Sequence, residues 1–422
     1  MKSVCIIGAG VVGCATAYQL SRAGCKVHLV DAHAGPAQGA SRANGAQLSY
    51  SYVEPLASPA TLKSLPSLLL ARSSPLRFKP RLDWQQWQWG IRFLAACTRD
   101  RAAHGTRTLL QLAALSRATL DQWREDEALA FSHASNGKLV LCRDNRSLQR
   151  QREQVELQAS FGSDQRVLSR EECLAQEPAL EHSAIPFAGG IWTPDECLAD
   201  PYELCHELVR CLGRDGAQLH FGCHVTGFVQ SSGRVTAVRT TEGELHADDF
   251  VIAAGAQSVS LGKALGISWP VYPIKGYSLT LPVVDASRAP RASVTDLGLK
   301  TVFAPLRDQL RVAAMAEVVG HELSIPPSRI RAMLDSVEKL FPGACDLAQP
   351  QPWAGLRPAT PDSLPIIGPT RIPNVHANVG HGALGFTLAA GSAVVLARQL
   401  TGIAPMQRKT QSLVRRAGWE PT

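Results

Sequence analysis

Gly8, Gly10 and Gly13 stand in G-x-G-x-x-G spacing between a short apolar run, 4–7, and a segment of helical period, 13–23. There the first glycine permits a tight turn and the second lets a pyrophosphate approach the backbone. The third lets helix and strand pack closely. Val11 and Val12 fall in the first helical turn, whose N–H groups and positive dipole end suit phosphate. Asp31, followed by Ala32, ends the next apolar run eighteen residues after Gly13. A carboxylate there accepts hydrogen bonds from both ribose hydroxyls and repels a 2′-phosphate. With its strand, helix and terminal acid, the fingerprint reads as a dinucleotide site.

Two glycine-rich stretches could extend that site. "GASRANGAQLS" (39–49) offers small residues and backbone N–H groups, with Ser41 and Asn44 able to reach a pyrophosphate or a ribityl chain. Its plainer reading is a polar surface loop. "VGHGALGFTLAAG" (379–391) places Gly380, Gly382 and Gly385 before an apolar helix. Such a loop can aim N–H groups at developing negative charge, or be an ordinary helix entry. The fingerprint alone does not separate NAD from FAD. β–α pairs return at 219–260 and 374–400, and a cofactor domain assembled from separated segments suits the longer FAD.

"WAGLRPATPDSLPIIG" (353–368) poses a different question. Arg357 is its one cation among apolar residues and prolines, and a buried guanidinium is costly unless an anion meets it. Asp362 or backbone carbonyls would satisfy it locally.

The positioning elements follow from the pattern. Residues 4–32 read as a βαβ opening for a parallel sheet, with Gly24 closing the helix. Helices are expected at 81–97, 105–125, 201–214, 327–341 and 386–400. Strands are expected at 138–142, 190–193, within 233–255, through 270–319 and at 374–378. Trp84, Trp87 and Trp89 beside Arg92, Arg99 and Arg101 read as core tryptophans of a helix or, with the leucines of 62–70, as a membrane-facing patch.

The chain is 45% hydrophobic with net charge +7, ordinary for a globular protein of two domains. No nucleic-acid motif is present, and the mild basic excess suits an anionic surface or an acidic substrate. Eleven scattered cysteines without C-x-x-C imply free thiols in a reducing compartment, and no metal site is expected. No leader peptide is read at the N-terminus, and no apolar run is read as reaching the roughly 18 residues of a membrane span. A cytoplasmic location is expected.

Together, "IIGAGVVGCATAYQL", "SRANGAQLSYSYVEPLA", "PVYPIKGYSLTLP", "RVAAMAEVVG", "WAGLRPATPDSLPIIG" and "NVGHGALGFTLAAGS" resemble the D-amino-acid oxidase-like flavoproteins. The similarity runs to about residue 400 and is nearest the bacterial D-amino-acid dehydrogenases of small-subunit type. It implies an α/β (α+β) fold: a glutathione-reductase-type, Rossmann-like FAD domain from 1–48, 198–265 and 348–422, and a substrate domain with a large antiparallel sheet from 49–197 and 266–347. It implies oxidative deamination of D-amino acids to 2-oxo acids and ammonia through an imino acid, with hydride passing from Cα to flavin N5. Electrons would go to a quinone or another respiratory-chain acceptor, with peripheral contact at the cytoplasmic face of the inner membrane. An oxygen-using glycine, sarcosine or D-amino-acid oxidase, and a flavin-binding subunit of an opine or amine dehydrogenase complex, remain as alternatives.

By this resemblance Gly8, Gly10, Gly13 and Asp31 match the ADP site. Ser41, Arg42, Ala43, Asn44 and Gln47, with adjoining Leu48, match the flavin-proximal loop. Val225, Ala254 and Gly255 close the ADP side. Gly380, Gly382, Leu384 and Gly385, with Thr387, match the loop under the isoalloxazine. Arg357 falls where related oxidases hold the substrate carboxylate. Tyr52 and Tyr277 are candidate partners for the carboxylate or amine, and His381 stands in the flavin loop. Segment 353–360 lacks the cysteine that tethers flavin in sarcosine oxidases, so FAD is expected to be non-covalent. Segment 309–319 lacks their oxygen-activating lysine, which favours a dehydrogenase.

Overall fold

The computed structural model describes residues 1–51, 53, 55–62, 76–159 and 163–402. The run Ser3–Ile7 is apolar at nearly every position, the signature of a strand covered on both faces. It lies inside a six-stranded sheet ordered Gln218–Phe221, Lys26–Asp31, Ser3–Ile7, Asp249–Ile252, Val375–Val379 and Ile366–Pro369. The first five strands run parallel; the last is antiparallel at the edge. Helices Val11–Arg22, Pro201–Arg214 and Gly385–Thr401 cover one face. A three-stranded meander, Val225–Ser231, Arg234–Thr240 and Gly243–His246, covers the other through Val225, Val235 and Val238.

The second body is a nine-stranded, mostly antiparallel sheet. Its centre pairs Gln351–Ala359 with Tyr272–Pro282, and that strand with Gln309–Val318. Parallel pairs occur where Ser293–Asp296 meets Lys138–Cys142 and where Gln309–Val318 meets Leu76–Phe78. The α/β architecture expected from the sequence is therefore present. One boundary differs. The segment expected to return to the cofactor domain at 348 first forms strand Gln351–Ala359 of the antiparallel sheet and reaches the parallel sheet only at Ile366–Pro369. Its alternation packs against 272–282, a pairing invisible along one chain.

Two helices differ from expectation. Residues 105–125 are part of one longer helix, Arg99–Glu127, which starts at the Thr98 N-cap and packs on Gly385–Thr401. Gly382–Thr401 is, by length and composition, apolar enough to cross a membrane, contrary to the reading that no run reaches that length. Most of it is buried inside the protein, because Val11–Arg22 and Arg99–Glu127 flank it and supply the apolar contacts a bilayer would. All eleven cysteines are buried and unpaired.

Candidate active site

A cavity of about 830 Å³ runs from the C-terminal ends of the parallel strands to the face of the antiparallel sheet. Its first end is the glycine turn. Gly8 has φ +109°, and a Cβ there would stand 2.7 Å from the Ala253 carbonyl oxygen. A Cβ on Gly13 would stand 1.7 Å from the Gly8 carbonyl oxygen, so helix and turn touch backbone to backbone. Gly10 is the N-cap and carries no side-chain cap; the Ser41 hydroxyl accepts a hydrogen bond from the Val11 N–H at 3.0 Å.

Asp31 is pinned. Its Oδ2 accepts from the Ala9 N–H at 2.6 Å, and its Oδ1 accepts from the His33 N–H at 2.9 Å. The His33 ring Nδ1 also meets Oδ1, at 2.8 Å, while Oδ2 keeps a lone pair for a further donor. Val12, Ala32, Val225, Ala254 and Gly255 line the same end. A glycine cradle that no Cβ could share, a helix N-terminus and a fixed carboxylate together fit an adenosine diphosphate group.

The middle of the cavity is walled by Ala43, Asn44 and Gln47. Each is held from outside. The Ala43 carbonyl accepts from the Ser278 hydroxyl, and the Asn44 carbonyl accepts from Arg311 Nη1 at 3.2 Å. Arg311 is itself buried against Asp200. The Gln47 amide donates to Ser293 Oγ at 2.6 Å and accepts from Lys138 Nζ at 3.4 Å. The Asn44 side chain accepts from the Ala46 N–H, so its oxygen serves the loop first.

Arg357 lies on the opposite wall. Nη1 donates to the Met315 carbonyl at 3.0 Å. Among the described residues it makes no ion pair, and Asp362 instead accepts from the Leu364 N–H. Burial pushes the guanidinium below its usual pKa. The surface it retains faces the cavity, and among the described residues four of its five N–H donors have no partner.

Two features make that placement possible. A Cβ on Gly276 would stand 2.4 Å from Arg357 Nη2, so the guanidinium lies across a bare stretch of strand. Met315 takes φ +69° where the register between Tyr272–Pro282 and Gln309–Val318 shifts. That bulge adds a residue and turns its carbonyl toward Arg357.

His381 is tied to the strand carrying Arg357 through a bridge to Ala359. Ser392 Oγ donates to the Leu388 and Ala389 carbonyls, so it accepts from His381 Nε2 at 3.1 Å. Burial pushes the imidazole down to about 3, so it is neutral at working pH and brings no charge. Below pH 6.5 the unfolded chain takes a proton that the folded chain refuses. Stability should therefore fall as pH drops from 6.5 towards 3, on the order of 1 kcal/mol per pH unit from this residue. Denaturant unfolding at pH 7 and pH 5 should show a smaller acid loss in His381→Gln than in the wild type.

Other residues named from the sequence have different places. The Tyr277 backbone lines the wall beside Gly276, but its hydroxyl donates to Glu317 Oε2 at 2.7 Å, within a buried group with Lys275 and Arg329. Lys275 pairs there and with the Ser324 carbonyl. Gly13, Leu48 and Thr387 support the cavity from behind: Leu48 is fully buried, and Thr387 Oγ1 accepts from the Ser49 N–H. Leu384 packs against the helical core. Arg42 points away, over the Tyr202 ring and onto Gln38. Tyr52 lies outside the described residues.

The sequence reading missed Gly276, Met315, Arg311 and Lys300, the second cation on the cavity wall. The Gly in "YPIKGYS" was a signal for a close approach; the bulge at Met315 had none.

Residues 3–399 match the family model described as FAD dependent oxidoreductase (DAO). The D-amino acid dehydrogenase 2 of Ralstonia nicotianae is 44% identical, over 95% of this chain and 97% of that protein. The D-amino acid dehydrogenase 2 of Pseudomonas aeruginosa is 45% identical, over 98% of each. Among solved structures, glycine oxidase from Bacillus cereus superposes with a TM-score of 0.74 at 21% identity, covering 95% of each chain. L-proline dehydrogenase from P. horikoshii superposes with a TM-score of 0.72 at 17% identity, covering 99% of this chain and 98% of that one.

Proposed function

Since the chain belongs to the FAD-dependent oxidoreductase (DAO) family, we propose that it deaminates D-amino acids oxidatively, giving 2-oxo acids and ammonia through an imino acid. FAD, held without a covalent link, supplies the two-electron oxidant. The chain's own residues bind and orient. The glycine turn, the first helix and Asp31 take the ADP portion, and the loop 41–47 and the entry to Gly385–Thr401 wall the flavin portion. Arg357 takes the substrate carboxylate.

The observation that carries this reading is the Arg357 guanidinium, half-buried, without a carboxylate partner among the described residues, and open to the cavity. A carboxylate meets such a fork with two parallel hydrogen bonds. Fixing that end orients Cα and the amine, and orientation is the larger part of what such a site must do. It also selects amino acids over plain amines. Among the described residues, His381 is neutral and the Tyr277 hydroxyl is already given to Glu317, so neither brings a charge to the amine. The acceptor in this reading is a quinone or another respiratory-chain carrier, with the protein on the cytoplasmic face of the membrane. The strand Gln309–Val318 has no lysine, which supports a dehydrogenase over an oxidase.

The test is anaerobic loss of the visible flavin absorbance in the purified holoprotein against paired D- and L-amino acids. D-enantiomers should bleach it, and a quinone analogue should restore it. No bleaching with any amino acid would overturn the reading in favour of a flavin-binding subunit. Stoichiometric hydrogen peroxide in aerated buffer would identify an oxidase.

A further inference from the structure

The helix Trp84–Ala96 is apolar on two opposite faces. Gln86, Trp89, Phe93 and Ala96 point inward, where Trp89 and Phe93 join a core with Tyr272 and Ile274. Trp84, Trp87, Ile91 and Leu94 recur at spacings of three, four and three, which places them in one stripe on the other face. They are 71%, 45%, 63% and 50% exposed, and Leu82 before them is fully exposed. A solvent-facing stripe should be polar. Four large apolar side chains there mark a contact surface.

Two observations identify the contact. The first is charge. Residues 76–107 carry seven Arg or Lys against two Asp, most of the net +7 of the whole chain. One of the two acids, Asp83, is turned inward, capping the helix through the Gln85 N–H and accepting from the Tyr272 hydroxyl. Arg92 on this helix and Arg99 and Arg101 at the start of the next are exposed. Indole rings flanked by guanidinium groups suit the boundary between acyl chains and anionic headgroups. The Trp87 N–H already donates to the Arg81 carbonyl, so the ring has no polar need left.

The second is continuity with the cavity. The Trp87 ring meets Phe78 at 6.0 Å, on the strand Leu76–Phe78. Leu76 lines the cavity and pairs with Ala316, next to the Met315 that holds Arg357. Leu56 and Leu323, also on the cavity wall, are about half exposed. The apolar surface thus runs from the helix stripe to the Arg357 end of the cavity.

We propose that the outer face of Trp84–Ala96 seats on an anionic lipid bilayer, with the Arg357 end of the cavity opening toward it. The inference rests on the membrane contact included in the reading above and gives that contact a surface. A lipid-soluble oxidant would then reach the cavity without crossing water.

The experiment is sedimentation of the holoprotein with vesicles of phosphatidylcholine, with and without phosphatidylglycerol. Turnover with a soluble dye is measured separately, so that failure of the amino-acid reading and failure of this one are distinct. The wild type should sediment with anionic vesicles and much less with neutral ones, and added salt should weaken it. The Trp84→Ser/Ile91→Ser/Leu94→Ser variant should lose at least tenfold in partitioning while dye turnover stays at the wild-type level. Arg92→Gln/Arg99→Gln/Arg101→Gln should bind anionic vesicles as weakly as neutral ones. Wild-type protein that stays in the supernatant, or a serine variant that binds like the wild type, overturns the proposal. So does light scattering that shows a wild-type dimer split by the serine substitutions, since the stripe is then a contact between two copies.

Discussion

Arg357→Met is expected to keep FAD and to lose most amino-acid oxidation. The side chain touches the Met315 carbonyl and the Gly276 backbone and none of the glycine fingerprint, so flavin content should match the wild type. Removing one partner of a desolvated charge pair costs about 2–5 kcal/mol. That corresponds to a fall in kcat/KM of about 30- to 5,000-fold. Stability should move the other way. An uncompensated guanidinium inside the protein is costly before substrate arrives, and an apolar side chain of similar length relieves that cost. The variant should therefore melt at or above the wild-type temperature. Arg357→Lys should recover only part of the rate, since an ammonium cannot make the two-pronged contact. Steady-state kinetics on a D-amino acid, with flavin content and a melting curve from the same preparations, check all three. Unchanged kcat/KM with full flavin content would remove Arg357 from the site.

Gly10→Ala and Gly13→Ala should fail in different ways. At Gly10 the φ of −72° suits any residue, and a Cβ meets only the Ser41 hydroxyl, at 3.5 Å. The chain should fold, but the methyl occupies the space where a pyrophosphate meets the helix, and flavin should be lost. At Gly13 the Cβ falls 1.7 Å from the Gly8 carbonyl oxygen and 2.8 Å from its carbon. Both are backbone atoms, and no rotamer relieves the clash. The helix must lift off the turn, and strands Ser3–Ile7 and Asp249–Ile252 lie directly beneath. A cost of about 3 kcal/mol or more, the upper end of overpacking, is expected on top of the lost cofactor. Denaturant unfolding in the absence of added FAD separates the two: near wild-type for Gly10→Ala, strongly reduced for Gly13→Ala. Equal stability of the two would show that the helix and turn do not pack as described.

Much of this protein was determined within short stretches of its sequence. The cofactor cradle needs a strand, three glycines, a helix and an acid, all within 29 residues of contiguous chain, and local spacing is enough to specify it. The apolar run at 138–142, the strand expected at 374–378 and the helix beginning near 386 were likewise local statements about burial and period. Arg357 was conspicuous because a lone cation in an apolar segment has an obvious physical cost.

What Arg357 faces was decided only in three dimensions. Its setting combines Gly276 and the Met315 bulge, on two other strands of its sheet, with a turn that keeps Asp362 out of its reach. Strand pairing between distant segments fixes that arrangement, and no pattern along one segment encodes its partner's register. The same reason removed the Tyr277 hydroxyl from the candidate partners, since Glu317 reaches it across a strand pair. It also settled which tryptophans of one helix are core. Composition placed Trp84, Trp87 and Trp89 together, but which side the sheet covers depends on Tyr272 and Ile274, nearly 200 residues away, and only Trp89 faces them.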